Sequence, residues 1–226
     1  MYYNYKTYPS TNSKSVIFFA APFGIKIKQL NWAIKSLQKE GYTVVAYDAD
    51  DKILTLGKPE LLEETVRNIA VDIKDQIDAY KSGGYTDFGF FGSSLGAFLM
   101  YYCVATIPEL KWGVLNTGGD AAEAVWRHPE LRKLHQKLGT DPDFIARAWR
   151  KLQYPRFKNM RGKRILFVSS NFDFVLPRSE IDPFLEPMRQ AGAKVEVMEV
   201  NIWGHNLTVL FGLIQAKKLI KEVHQV

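Results

Sequence analysis

Apolar and polar positions divide most of the chain into two kinds of segment that alternate. Segments with helical spacing of apolar residues lie at 28–40, 59–80, 95–105, 178–191 and 206–223. Short apolar runs, typical of buried strands, lie at 15–20, 43–47, 88–91, 113–115, 164–169 and 194–200, with a weaker edge strand at 2–8. This alternation predicts an α/β fold, with a mostly parallel central sheet and helices on both faces.

The segment from about 120 to 158 interrupts the alternation. It has no strand pattern, and three stretches resemble short helices, at 121–126, 129–138 and 142–152. Because it falls between two core strands, we expect a small helical cap over the carboxyl edge of the sheet, where open α/β sheets bind ligands. Residues 1–226 are therefore predicted to form a single domain with this cap as an insertion.

Composition narrows the class of protein. The 226 residues, 46% of them hydrophobic, are enough for one sizeable core. The single cysteine, Cys103, excludes an internal disulfide and favours a reducing compartment. The chain has no signal-peptide pattern at its start and no apolar run of about 18 residues. We therefore expect a cytoplasmic protein without a membrane span.

The net charge of +6 makes nucleic acid a candidate partner. The basic residues are spread through the middle and the end of the chain, as expected for the solvated faces of helices, and no RNA- or DNA-binding module accompanies them. We therefore expect a small-molecule substrate and no nucleic-acid partner. The oligomeric state is open.

The segment Gly92-Ser93-Ser94-Leu95-Gly96 follows a strand pattern and precedes a helix pattern. This is the G-x-S-x-G arrangement, in which a serine on a sharp turn is exposed as a nucleophile and the glycines let the chain pass close by. The alternative is that the serines only cap the helix.

A serine nucleophile requires a base, and the base requires an orienting carboxylate. Asp173 follows the strand predicted at 164–169, and His205 follows the next strand, so Ser94, Asp173 and His205 each come after a strand. Asp173 alternatively serves only as a turn or cap residue, and Asp120 is a rival for the acid. We favour Asp173 because its strand directly precedes the histidine strand.

On these three motifs the chain resembles the α/β-hydrolase superfamily from about residue 15 to its end. The resemblance implies Ser94 as nucleophile, His205 as general base and then acid, and Asp173 as its orienting carboxylate. It also implies an oxyanion hole, for which we predict the backbone N–H groups of Leu95 and Phe23. The chain departs from the His-Gly pattern of related lipases and esterases, since it has Ala20-Ala21-Pro22-Phe23-Gly24, and Pro22 has no N–H.

Aromatic residues near the motifs and in the cap predict an apolar acyl pocket. The candidate substrate-binding residues are Trp126, Trp149, Phe174 and Trp203. Trp32 and Trp112, in contrast, fit the structural framework.

No cofactor or metal is predicted, because the chain lacks phosphate-binding glycine motifs and ligand-spaced cysteine or histidine clusters. Asp48, Asp50 and Asp51 are interpreted as an acidic loop in water.

The predicted function is cleavage of carboxylic esters with small or medium acyl chains through an acyl-enzyme on Ser94. The same three residues would serve an acyltransferase or a thioesterase. A noncatalytic binding protein that keeps the fold is the alternative from a different class.

Overall fold

The fold is taken from a computed structural model of the chain. It describes residues 2–11, 13–50, 52–55, 59–119, 132–133, 136–137, 139, 141–143, 147, 157, 160–176 and 178–225. Most of the predicted cap lies outside these described residues.

Seven strands of the described residues form one sheet in the order β1-β3-β2-β4-β5-β6-β7. Strand β1 pairs with β3 in the antiparallel sense, and all other neighbours are parallel. The strands are β1 Tyr3–Tyr8, β2 Ser15–Ala20, β3 Thr43–Ala49, β4 Asp87–Ser93, β5 Trp112–Asn116, β6 Arg164–Phe172 and β7 Lys194–Trp203. The mostly parallel α/β sheet predicted from the apolar runs is thus confirmed.

The five helices predicted between the strands are present, with two differences, and the three predicted in the cap lie mostly outside the described residues. The segment 28–40 begins with a 3-10 turn, Ile27–Leu30, and the segment 206–223 is two helices separated at Gln215. The helices whose bounds fall within the described residues are α1 Asn31–Lys39, α2 Lys52–Thr55, α3 Pro59–Ser82, α4 Leu95–Thr106, α5 Arg178–Gln190, α6 His205–Ile214 and α7 Ala216–Gln225.

Two apolar layers cover the faces of the sheet. Phe18 and Phe90 point into the layer formed with α3, α4 and α5. Phe19 and Phe91 point to the other face, where they stack with ring centroids 4.9 Å apart beneath α1, α6 and α7. Because neighbouring strand positions are buried on opposite faces, the central strands are continuous apolar runs rather than alternating ones.

The two tryptophans assigned to the framework differ. Trp112 is buried at the start of β5, as predicted, whereas Trp32 on α1 is 46% exposed. The prediction for Trp32 was wrong because α1 turns Ala33, Ile34 and Leu37 toward the sheet and leaves Trp32 on its solvent side.

The parallel strands place the ends that matter for function at one edge. Strands β4, β6 and β7 all terminate at the carboxyl edge of the sheet, with β5 between β4 and β6. In the described part of the chain, no helix is both long and apolar enough to cross a membrane.

Candidate active site

Ser94 lies on a strained turn between β4 and α4. Its φ of 53° and ψ of −117° are unusual for a residue with a side chain, and among the described residues Thr117 alone is the other non-glycine with positive φ. Such a conformation costs about 1–3 kcal/mol and persists only where its surroundings hold it. The Ser94 N–H donates to the Asn116 carbonyl at 2.9 Å, and the Ser94 carbonyl accepts from the Ala97 N–H at 2.9 Å.

Both glycines of the motif are required by close backbone approach. A Cβ atom at Gly92 would lie 2.4 Å from the Gly96 carbonyl oxygen, and one at Gly96 would lie 2.1 Å from the Ala20 carbonyl oxygen. The start of α4 is therefore pressed against the end of β2, as the G-x-S-x-G interpretation requires.

His205 is the first residue of α6 and contacts Ser94. Its Nε2 lies 3.0 Å from Ser94 Oγ, and its Nδ1 lies 2.8 Å from Asp173 Oδ2. A carboxylate accepts hydrogen bonds, so the nitrogen that faces Asp173 is assigned the proton and Nε2 is left as the acceptor for the serine hydroxyl. The Ser94 side chain makes no capping bond to α4, which argues against the helix-cap alternative.

Asp173 is buried directly after β6. While Oδ2 contacts His205, Oδ1 accepts from the backbone N–H groups of Val175 at 2.9 Å and Leu176 at 3.0 Å. The turn role and the histidine-orienting contact are thus present together, and the turn bonds fix the direction of the carboxylate.

Ser170 joins the ends of β6 and β7, which support Asp173 and His205. Its hydroxyl donates to the Ile202 carbonyl at 2.5 Å and accepts from the Phe172 N–H at 3.1 Å, beside an irregularity in the strand register. This side chain therefore stabilises the place where both strands leave regular pairing.

The two proposed oxyanion donors lie at this edge. Leu95 begins α4, so its N–H has no carbonyl partner within the helix and lies at the positive end of the helix dipole. Phe23 follows β2 in a turn where the Ile25 N–H donates to the Pro22 carbonyl at 3.3 Å, and its side chain is exposed.

Two of the four predicted substrate-binding aromatics flank His205. Phe174 is 61% exposed, and its ring lies 3.3 Å from where a Cβ atom of Gly204 would be. Trp203 is 73% exposed and stacks on Phe172 with centroids 4.8 Å apart. Both side chains therefore present apolar surface close to His205.

The remaining candidates of the sequence analysis fall outside the described residues. These are the predicted substrate-binding residues Trp126 and Trp149 and the rival acid Asp120.

Other reactive or acidic groups have structural roles. Cys103 is fully buried in α4, and burial raises the pKa of its thiol to about 12, so it is a packing residue as predicted. Of the predicted acidic loop, Asp48 is instead buried in β3, where it accepts from the Asn4 side chain and the Ile27 N–H, and Asp51 lies outside the described residues. The described residues contain no group of three or more acidic, histidine or cysteine side chains placed to hold a metal ion.

Two polar residues beside Ser94 were not identified from the sequence. Asn116 and Ser93 are fully buried, and the Asn116 amide Nδ2 donates to Ser93 Oγ at 2.7 Å. The signal that could have found Asn116 is its place at the end of a buried strand, at the same edge as the serine.

The strand order, the turn at Ser94 and the late acid and histidine define the α/β-hydrolase fold. Solved structures with this fold match the chain at low identity. An esterase of Pyrococcus furiosus, Pf2001, has a TM-score of 0.63 and 17% identity, over 94% of this chain and 81% of that one. Est1E from Butyrivibrio proteoclasticus, solved with ferulic acid bound, has a TM-score of 0.62 and 17% identity, over 97% and 93%.

A peptidase also matches. The Pyrococcus horikoshii acylaminoacyl peptidase has a TM-score of 0.67 and 16% identity, over 97% of this chain but 38% of the peptidase. No protein-family model matches the chain, and no curated protein matches it in sequence. These structural neighbours are two esterases and a peptidase. At 16–17% identity, the similarity shows a shared fold.

Proposed function

We propose that this chain is a serine hydrolase that cleaves carboxylic esters of small or medium acyl chains. The observation that carries the proposal is the continuous row of hydrogen bonds from Asp173 through His205 to Ser94, with the serine held on a strained turn at a helix N-terminus. A serine hydroxyl is a weak nucleophile, and an adjacent oriented base is what activates it.

Acylation begins when Ser94 Oγ attacks the ester carbonyl carbon and His205 Nε2 takes the hydroxyl proton. The carbonyl electron pair moves to its oxygen, which the N–H groups of Leu95 and Phe23 would stabilise. When this intermediate collapses, the bond to the leaving oxygen breaks, and His205 delivers the proton to the departing alcohol. Asp173 accepts the hydrogen bond from His205 Nδ1 throughout and stabilises the transient imidazolium.

Deacylation repeats these steps with water. His205 removes a proton from the water as its oxygen attacks the acyl carbon, and the second tetrahedral intermediate releases the acid and regenerates the Ser94 hydroxyl with the proton from His205. No redox or metal-dependent step enters this sequence.

The substrate class is proposed from the aromatic side chains near the histidine. Phe174 and Trp203 are exposed beside Gly204 and His205 and offer apolar surface to an acyl chain. Trp126 and Trp149 are proposed as further walls of the same pocket.

The experiment is turnover of a para-nitrophenyl ester series of increasing acyl length by the wild type and by Ser94→Ala. We expect the variant to lose on the order of 10⁴-fold or more in kcat. Ser36→Ala is the matched control, because Ser36 is a half-buried serine on α1 whose hydroxyl donates to the Ala33 carbonyl away from the site. Undiminished turnover by Ser94→Ala contradicts the assignment of the nucleophile.

Two further measurements separate the neighbouring classes. Added alcohols or thiols that capture the acyl group faster than water would identify a transferase, and preference for acyl thioesters would identify a thioesterase. A wild type that neither hydrolyses esters nor reacts with a fluorophosphonate would be a binding protein with this fold.

A further inference from the structure

Asn116, the last residue of β5, provides one carbonyl group that binds both strained residues of the described chain. Its oxygen accepts from the Ser94 N–H at 2.9 Å and from the Thr117 hydroxyl at 2.7 Å. Ser94 and Thr117 have φ values of 53° and 52°. The two costly conformations are therefore held at a single point on the strand beside β4.

The Asn116 side chain connects the serine turn with the histidine helix. Its Nδ2 donates to Ser93 Oγ at 2.7 Å and to the Val209 carbonyl at 3.1 Å. Ser93 precedes the proposed nucleophile, and Val209 lies one helical turn after His205 on α6. One buried amide thus bonds to both elements that carry the reacting side chains.

The packing around this amide is close. A Cβ atom at Gly212 on α6 would lie 2.2 Å from Asn116 Cγ, so the helix approaches the amide where it has no side chain. Asn116 Oδ1 is buried, and no described residue provides it with a hydrogen bond. A buried unpaired acceptor destabilises a fold, which offsets part of the stabilisation that the two bonds of Nδ2 provide.

We infer that Asn116 is a positioning residue, which sets the Ser94 turn and α6 at the separation that lets His205 reach the serine hydroxyl. This inference rests on the proposed function. Proton transfer between Ser94 and His205 depends on a contact of 3.0 Å. A displacement of about 1 Å between reacting groups can cost on the order of a hundredfold in rate.

The test compares Asn116→Ala, Gly212→Ala and the double variant with the wild type. Asn116→Ala removes both side-chain bonds, whereas Gly212→Ala keeps the amide and forces it to move. In the double variant the added methyl group occupies space that the amide has vacated. Thr65→Val is the control, because Thr65 is a buried polar residue on α3, on the opposite face of the sheet, with an unpaired hydroxyl.

The first readout is the rate of fluorophosphonate labelling of the folded protein. We expect Asn116→Ala and Gly212→Ala to slow labelling about tenfold or more, and Thr65→Val to leave it unchanged. The double variant should melt at a higher temperature than Gly212→Ala and still label slowly. A merely structural role for the amide predicts the opposite, because labelling would then recover together with stability.

Labelling within about fivefold of the wild type in folded Asn116→Ala, or a double variant that labels like the wild type, overturns the inference. Ser93→Ala is the milder variant should the others fail to fold. It removes one of the two acceptors, and an unchanged labelling rate there is equally contradictory.

The second readout does not depend on catalysis. The ring nitrogen resonances of His205 and the amide resonance of Ser94 should shift in NMR spectra of Asn116→Ala or Ser93→Ala and stay in place in Thr65→Val. A wild type that fails to label refutes the proposed function, and the NMR comparison then decides the positioning role. Unshifted His205 and Ser94 resonances refute it.

Discussion

A second row of acid, imidazole and hydroxyl lies at the amino edge of the sheet, opposite the candidate active site. His224 on α7 has its Nε2 2.9 Å from Asp87 Oδ2 and its Nδ1 2.8 Å from the Tyr42 hydroxyl. By residue type and distance this row resembles the one through His205. Since the two rows contain the same kinds of group, any difference in reactivity must come from their surroundings in the fold.

The hydroxyl groups have different settings. Burial, followed by the charge of Asp87, raises the pKa of Tyr42, the residue directly before β3. Ser94, in contrast, is half-buried on a strained turn, with the first N–H groups of α4 beside it. The Tyr42 hydroxyl has neither a strained turn nor the N-terminus of a helix described beside it. The backbone around Ser94 is therefore what distinguishes the two rows.

The acids differ as well. Asp173 makes an aligned hydrogen bond to His205, whereas the contact of Asp87 with His224 has ion-pair distance without hydrogen-bond alignment. Asp87 also accepts from the Trp112 indole N–H at 2.6 Å, and the ring of His224 stacks on Trp112 at 4.3 Å. We interpret the amino-edge row as an attachment of α7 to the sheet.

The largest expected effect is the difference in activity between variants of the two histidines, His205 and His224. His205→Ala should lower kcat on ester substrates by on the order of 10⁴-fold or more, because the serine loses its base. His224→Ala should leave kcat/KM within about twofold, since distant sites act independently. Steady-state kinetics of both variants measure this, and comparable losses in the two would contradict the distinction.

The two acids should differ almost as much. Asp173→Asn should reduce kcat by about 10³- to 10⁴-fold, because an amide facing His205 Nδ1 favours the wrong tautomer. Asp87→Asn should keep kcat and lower the free energy of unfolding by about 1 kcal/mol. Steady-state kinetics and urea denaturation of both variants test this. An active Asp173→Asn would show that Asp173 is not required to orient His205.

A smaller effect is expected from Lys163, near the amino end of β6. Its buried ammonium donates to the carbonyls of Val104 and Ile107, both at 2.7 Å, at the end of α4 away from Ser94. Burial, with the nearby charge of Lys111, lowers the pKa of Lys163 to about 8 in the folded protein. Between about pH 8 and the unfolded pKa of about 10.4, Lys163 is therefore protonated in the unfolded chain but largely deprotonated in the folded protein.

In that window unfolding takes up a proton, so the free energy of unfolding should rise with pH. Relative to Lys163→Met, the wild type should gain about 1–3 kcal/mol between pH 8 and 10.4. Urea denaturation across this range measures the difference. A constant or falling difference would show that the buried lysine titrates normally.

The smallest effect is expected from Tyr42→Phe. Loss of the hydroxyl that contacts His224 should lower the free energy of unfolding by about 1 kcal/mol. Ester turnover should be unchanged, because this hydroxyl has no part in the proposed reaction. Denaturant unfolding together with a turnover assay tests this, and lost activity would give the amino-edge row a role in catalysis.

The sequence predicted the sheet well and strand ends less well. Residues 15–20 match β2, but β4 continues past Phe91 to Ser93 and β6 past Ser169 to Phe172. Apolar patterning reports burial, and the carboxyl ends of these strands are polar because they approach the candidate site. The break at Gln215 between α6 and α7 was also missed, because apolar residues continue on both sides of it.

For the site, the order of strands and motifs was sufficient to nominate Ser94, Asp173 and His205, since parallel strands end at one edge. The place of Asn116 at the end of a buried strand could be read from the sequence, but its contacts and the left-handed conformation of Thr117 could not. Their contacts depend on how closely α6 approaches β5, which is a matter of three-dimensional packing rather than of spacing along the chain.

The most direct test that Ser94 is an activated nucleophile is mass spectrometry of the wild type after brief exposure to a fluorophosphonate, with peptide mapping of the adduct. We expect one adduct per chain, on Ser94, formed far more slowly in His205→Ala and at the wild-type rate in His224→Ala. An unlabelled wild type, or an adduct on another residue, would contradict it.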